Sequence, residues 1–295
     1  MKILIVMVMM LSLYNPCQAS VLEEENQKAF IDYLFQKKYY SQAIIESERL
    51  LFNYPESRHK HYLLILIGDC YAFGGDEQTA HKKYQEFISE NPDSPLLPTV
   101  YLRVGKLFAD SRNYKAAISY FKKIPTNIFS SDNEIKKAKT WILLLTLLDE
   151  GANEAKGKSK ELSLDNDNYI QDMFKSYDSL VFKSPKIAGT LSAILPGAGQ
   201  LYLDRNRDAL TAFILNGLFI WGIVESFDKG NTATGIILSV FEVGWYGGNI
   251  YSAVNGAYKH NRKLKDSFKN RMSIQLNIGA NNATIPSLRL VYFFD

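Results

Sequence analysis

The stretch GDCYAFGGDEQTAHKKYQEFISENPDS, Gly68–Ser94, reads as the end of one helix, a tight turn and a whole second helix. Gly74-Gly75-Asp76 has turn chemistry, and Pro92 stops the second helix because proline lacks the amide hydrogen needed to continue it. Sliding the chain by 37 residues puts Ala43, Ala80 and Ala117 in one position, Gly68 with Gly105, Tyr71 with Phe108, and Pro55 with Pro92. Leu34 falls in the aromatic position one unit earlier, and YPES at Tyr54 lies over NPDS at Asn91. Agreement at several independent positions marks a repeat of helix-turn-helix units. Gly68 and Ala80 are small where the two helices cross closely, and Tyr71 fills the gap between units. Each unit leaves an apolar face that only its neighbour covers.

The spacing of small residue, aromatic, alanine and proline resembles tetratricopeptide repeats. The 37-residue period, with Pro-x-Ser after the second helix, is similar to the periplasmic subset found in the outer-membrane assembly lipoprotein family and the Tol-Pal accessory proteins. This resemblance covers about residues 24–125. KAKTWILLLTLLDEGANEAK, Lys137–Lys156, predicts a further helix without the Ala-to-Pro spacing and reads as a cap, so the repeat domain is assigned to 24–156. In tetratricopeptide arrays the first helices of each pair line a concave groove. That resemblance implies a protein or peptide partner near Tyr62, Asp69, Phe73, Lys106 and Asp110, a set too mixed to name a peptide class.

The chain has 295 residues, 46% of them hydrophobic, enough for two domains or one large one. A net charge of +3 gives no reason to expect a nucleic-acid partner. Residues 1–19 read as a signal peptide: one lysine, an apolar run Ile3–Leu13, a break at Asn15-Pro16 and Cys-Gln-Ala before Ser20. The run is short for an uncleaved anchor, which stays the alternative. The expected location is therefore a bacterial inner membrane, with the repeat domain in the periplasm. Loss of Cys17 with the leader would leave Cys70 as a buried small hydrophobe.

Residues 157–183 read as a linker, GKSKELSLDNDN, and then a segment that is either an amphipathic helix on a membrane surface or a last solenoid helix. A membrane domain follows at 184–260. Ile187–Leu203 and Ala209–Val224 carry no charge, and Thr232–Tyr258 carries only Glu242. Pro196-Gly197 interrupts the first of these, which leaves two readings, a crossing or a re-entrant turn. Three crossings put both arginine-containing segments, Arg205/Arg207 and the basic tail, on the cytoplasmic side, while Lys183 and Lys186 speak against this. Gly244, Gly248, Ser252 and Gly256 form a small-residue line suited to close helix packing. Asn216, Glu242 and Asn249 should face the bundle, with Asn216 as a partner of Glu242.

PGAGQLYLDRNRDALTAFILNGLFI and GGNIYSAVNGAY together resemble a bacterial hairpin-membrane domain of unknown function, over about residues 184–265. Pro196, Gly197, Gly199, Gln200, Tyr202, Arg205, Asp208, Asn249 and Tyr251 carry the likeness; Asp204 stands where glycine is common. The resemblance implies a membrane location and a link to membrane insertion or envelope assembly. Residues 261–295 read as a basic tail and a β-hairpin, from the alternation in MSIQLNIGANNATIPSLRLVYFFD.

No phosphate loop, complete dinucleotide motif or His-Glu-x-x-His pattern occurs, and His59 and His61 do not share a helix face. No enzyme, cofactor or metal is expected. The sequence thus predicts an all-α chain: a tetratricopeptide-like solenoid, then a two- or three-helix transmembrane bundle, with a short C-terminal β-hairpin. The expected function is a membrane-anchored scaffold recruiting a protein or peptide, with homo-oligomerisation open. The alternative is a channel or transporter component built around Glu242.

Overall fold

A computed structural model describes residues 16–278. Among them every regular element is a helix, thirteen in all, and the chain divides into two compact units, one ending at Leu164 and one beginning at Asp165. The leader prediction falls largely outside the described residues.

The first unit runs α1 (Pro16–Gln36), α2 (Tyr40–Asn53), α3 (Lys60–Phe73), α4 (Glu77–Glu90), α5 (Leu97–Asp110), α6 (Tyr114–Phe121), α7 (Asp132–Asp149) and α8 (Ala152–Glu161). Each helix packs on the next, as in a solenoid of helix pairs. The 37-residue period is visible in the backbone itself. Lys38, Gly75 and Arg112, spaced by 37, all adopt left-handed φ angles, of 64°, 87° and 60°. The following amide closes each turn on the aromatic or leucine position: Tyr39 on Leu34 at 2.9 Å, Asp76 on Tyr71 at 2.9 Å and Asn113 on Phe108 at 2.8 Å. Asp76 and Asn113 then cap the next helix by accepting from the amides of Thr79 and Ala116.

Close crossing explains the glycines. A Cβ added at Gly68 would meet the Tyr84 ring at 2.6 Å, and one at Gly105 would meet the Phe121 ring at 2.5 Å. In the first pair the equivalent positions are Ile31 and Ser47, both fully buried. Volume has moved from the second helix to the first, so the crossing stays filled.

Two expectations change here. Residues 157–168 are not simply a linker, because α8 continues through Glu161 with Ala155 and Ser159 buried. The first strand of the expected β-hairpin is also absent: residues 272–278 continue a helix, and the rest of that hairpin lies outside the described residues.

The second unit contains α9 (Asn168–Asp178), α10 (Pro185–Ile194), α11 (Ala198–Tyr202), α12 (Asn206–Asp228) and α13 (Thr232–Ile278). α9 lies against the distal half of α13, where the Tyr169 hydroxyl donates to the Met272 carbonyl at 3.0 Å and Tyr177 meets Phe268 edge-on. α12 and α13 form a hairpin around Gly230. An added Cβ at Gly235 would meet the Phe227 ring at 2.8 Å, and further along the pair Phe219 and Trp245 approach at 6.4 Å.

α10 runs antiparallel to α13. Lys183 and Asn261 exchange two hydrogen bonds of 2.8 Å at one end, and the Tyr246 hydroxyl donates to the Ala193 carbonyl at the other. The apolar stretch 187–203 is therefore not one helix. α10 is ten residues long, about 15 Å, and the chain folds back at Gly197 instead of continuing. α12 alone among the described helices is long and apolar enough to cross a bilayer by length and composition.

Candidate functional site

The repeat unit gathers charge along the first helices of its pairs. Asp32, Asp69 and Lys106 occupy the same position in three successive units. Asp32 accepts from the Tyr62 hydroxyl at 2.5 Å. Asp69 is buried, 2.8 Å from the Arg103 guanidinium, and accepts from the Tyr84 hydroxyl at 2.6 Å. Burial holds the Asp69 carboxyl above the usual carboxylate range, opposed by Arg103. Burial lowers Lys106 to about 8, opposed chiefly by Asp110, while Arg103 repels it.

Tyr62, Asp69, Lys106 and Asp110 thus belong to one electrostatic neighbourhood, with Asp69 buried within it. Phe73 does not join it, packing instead on Phe35 and Tyr40. Two members escaped sequence reasoning, Asp32 and Arg103. For Asp32 the signal was present, since it precedes Asp69 by one 37-residue period; Arg103 lies 34 residues after Asp69, off that period, and the repeat does not mark it. His59 and His61 go to different neighbours, Glu25 at 2.7 Å and Ser94 at 3.0 Å.

In the second unit the Pro196-Gly197-Ala198-Gly199-Gln200 motif forms a clamp. Gly197 has φ 89°, and a side chain there would strike the Ala209 carbonyl; one at Gly199 would strike the Ala188 carbonyl and the Ser192 hydroxyl. The fold-back buries Gln200, whose amide donates to the Asn249 carbonyl at 3.0 Å and to the Asn249 side-chain oxygen at 2.7 Å. The Gln200 oxygen accepts from the Ser192 hydroxyl at 3.0 Å, and that hydroxyl accepts from the Gly199 amide. One glutamine thereby joins α10, α11 and α13. Asp204, in the position where glycine was expected, has φ 61°, and its carboxylate reaches Lys183 at 3.1 Å. Asparagine and aspartate tolerate this conformation better than most residues.

Between α12 and α13 lies a groove of about 400 Å³, lined in part by Arg205, Asp208, Thr211, Trp245, Gly248 and Asn249. Gly244 and Ser252 also line it, whereas Gly256 packs beneath Leu203 and Arg205. Among the described residues, nothing beyond the helix's own backbone and the adjoining residues stands within 4 Å of a Cβ added at Gly244 or Gly248. The small-residue line that sequence reasoning assigned to helix packing is thus mostly open within one copy. Asn216, Glu242 and Asn249 are all buried. Asn216 donates to the Ala212 carbonyl at 2.6 Å, while its side-chain oxygen, both Glu242 oxygens and the Asn249 amide nitrogen find no hydrogen bond.

Compared with protein families, characterised proteins and solved structures, the chain matches none.

Proposed function

We propose that the chain is a membrane-anchored protein-interaction scaffold of a bacterial envelope. A tetratricopeptide-like array captures a protein or peptide, and the α12–α13 hairpin holds it at the bilayer. The observation that carries this reading is the exposure of α12. Its 23 residues have the length and apolarity of a membrane span, yet only 6% of its most apolar window is buried by protein. A core helix of that composition would be covered. On α13, Val240, Phe241, Val243 and Trp245 are likewise exposed. Water would oppose so much exposed apolar surface; lipid would cover it.

The fold-back at Gly197 supports two crossings, α12 and the first half of α13, rather than three. At about 15 Å, α10 is half of a 30 Å hydrocarbon core. With two crossings, the repeat unit and the end of α13 share one side of the membrane. Two signals compete over which side: the leader-like residues 1–19, and the basic residues Lys183, Lys186, Arg205, Arg207, Lys259 and Arg262. The first apolar segment usually dominates orientation, so the repeat unit is assigned to the periplasm. The transporter reading needs a relay of ionisable groups, and Glu242 is the only charged residue in Ala209–Val224 and Thr232–Tyr258.

Compartment-specific reporters fused after Asn153, within Ser226–Asn231 and after Asp295 test this. The expected result is periplasmic signal at the first and last positions and cytoplasmic signal at the middle one. Opposite compartments at Asn153 and Asp295 would restore three crossings, and one compartment for all three would overturn the anchor.

A further inference from the structure

We propose that the groove between α12 and α13 is the seat of a second copy of this chain, giving a two-fold homodimer in the membrane. The inference rests on the hairpin reading above and adds the identity of what covers the glycines. Gly244, Gly248 and Ser252 expose backbone along one line of α13, spaced so that another helix can approach closely. A second and independent observation is Asn249. It is 93% buried and lines the groove; its oxygen is taken by Gln200, but its amide nitrogen has no acceptor. An unsatisfied donor away from water is costly, so an oxygen brought into the groove by an incoming surface is favoured once the carboxamide turns toward it.

A second copy meets that requirement. In a two-fold interface each patch meets itself, and a carboxamide is both donor and acceptor, so two Asn249 side chains are mutually complementary. The charges lining the groove are compatible with the same symmetry. Arg205 and Asp208 pair with each other at 2.8 Å and both stay partly exposed, so a partner rotated by a half-turn brings the same pair reversed and can extend it across the axis. A lipid would satisfy the apolar floor and the arginine but would place its phosphate beside Asp208.

The test uses the full-length chain carrying Cys17→Ser and Cys70→Ser, kept in its membrane, with one new cysteine at a time. Oxidation is expected to trap a covalent dimer at Ser252→Cys much faster than at Val243→Cys, which lies on the opposite face of α13. In nanodiscs Gly248→Leu is expected to weaken dimerisation about tenfold or more, and Asn249→Ala about three- to tenfold. Equal trapping at both positions, a monomer in nanodiscs, a monomer with lipid retained, or indifference to Gly248→Leu would each overturn the dimer. Resistance of the chain to alkaline extraction separates the two ideas. A membrane-embedded monomer sinks only this inference, whereas an extractable chain sinks the anchor as well.

Discussion

The two units dispose of their apolar residues in opposite ways. In the repeat unit Leu63, Ile65, Leu66, Val100 and Val104 are buried to within 1%. In the second unit Leu210, Phe213, Leu218, Trp221 and Val224 are at least half exposed, while Ser192, Gln200, Asn216 and Asn249 are buried. Water explains the first arrangement, because burying hydrocarbon is what drives it together. It does not explain the second. Where the surroundings are already apolar, helices gain little from hiding leucine, and association falls to close backbone contact and hydrogen bonds. The Gln200 clamp, with its glycines and four hydrogen bonds of 2.7–3.1 Å, has the form that the proposed anchor would give an association of that second kind.

A charge in the middle of α12 puts the contrast at greatest risk. Leu218→Arg would change the stability of a water-exposed helix by about 0.5 kcal/mol or less, but costs about 3 kcal/mol at the centre of a membrane span. The expected outcome is a large fall in the membrane-inserted fraction, measured by resistance to alkaline extraction. Unchanged insertion would erase the distinction between the units. In the repeat unit the corresponding lever is volume. Gly105→Ile should cost about 1–3 kcal/mol by overpacking against Phe121, and Phe121→Ser more through the lost ring. Together they reproduce the Ile31 and Ser47 arrangement of the first pair, so the double variant should recover about 1–2 kcal/mol relative to the sum. Chemical denaturation of the four chains measures the coupling, and strict additivity would mean that the repeats do not share one crossing geometry.

Much of the repeat unit is legible because its period is written in side-chain size: Gly68 and Gly105, then Ala80 and Ala117, recur where helices must touch. The turns are only partly so. Gly75 announces a left-handed residue, but Lys38 and Arg112 hold the same conformation without any such mark, at a cost of about 1 kcal/mol that neighbouring packing outweighs. α8 was hidden because only Ala155 and Ser159 on it are buried, too few apolar positions to print a helical period. The alternation after Met272 reads locally as a strand, yet α13 extends through Ile278; local pattern there yields to a helix already under way. In the charged neighbourhood, Lys106 and Asp69 were readable from the repeat, but how deep they sit was not: Arg103 and Tyr84 close over Asp69, and Lys106 lies half-buried near them.

That burial gives the smallest of the expected effects and a direct reading of the repeat interior. Lys106 titrates near 8 in the folded chain and near 10.5 when unfolded. Below about pH 8 both states hold the proton, and the burial penalty on the charged amine is constant. Between about 8 and 10.5 the folded state has released a proton that the unfolded state still binds, so stability rises with pH through that window. Partial solvent access keeps the gain to the order of 1 kcal/mol. Lys106→Met removes it, so the difference in stability between the natural chain and this variant should be flat from pH 6 to about 7.5 and should then move in favour of the natural chain. Trp141, stacked on Phe121 inside the repeat unit, reports the unfolding once Trp221 and Trp245 are replaced by phenylalanine. A difference that stays flat through pH 10 would mean that the amine of Lys106 stands in water, and that the buried charge beginning at Asp69 does not extend to Lys106.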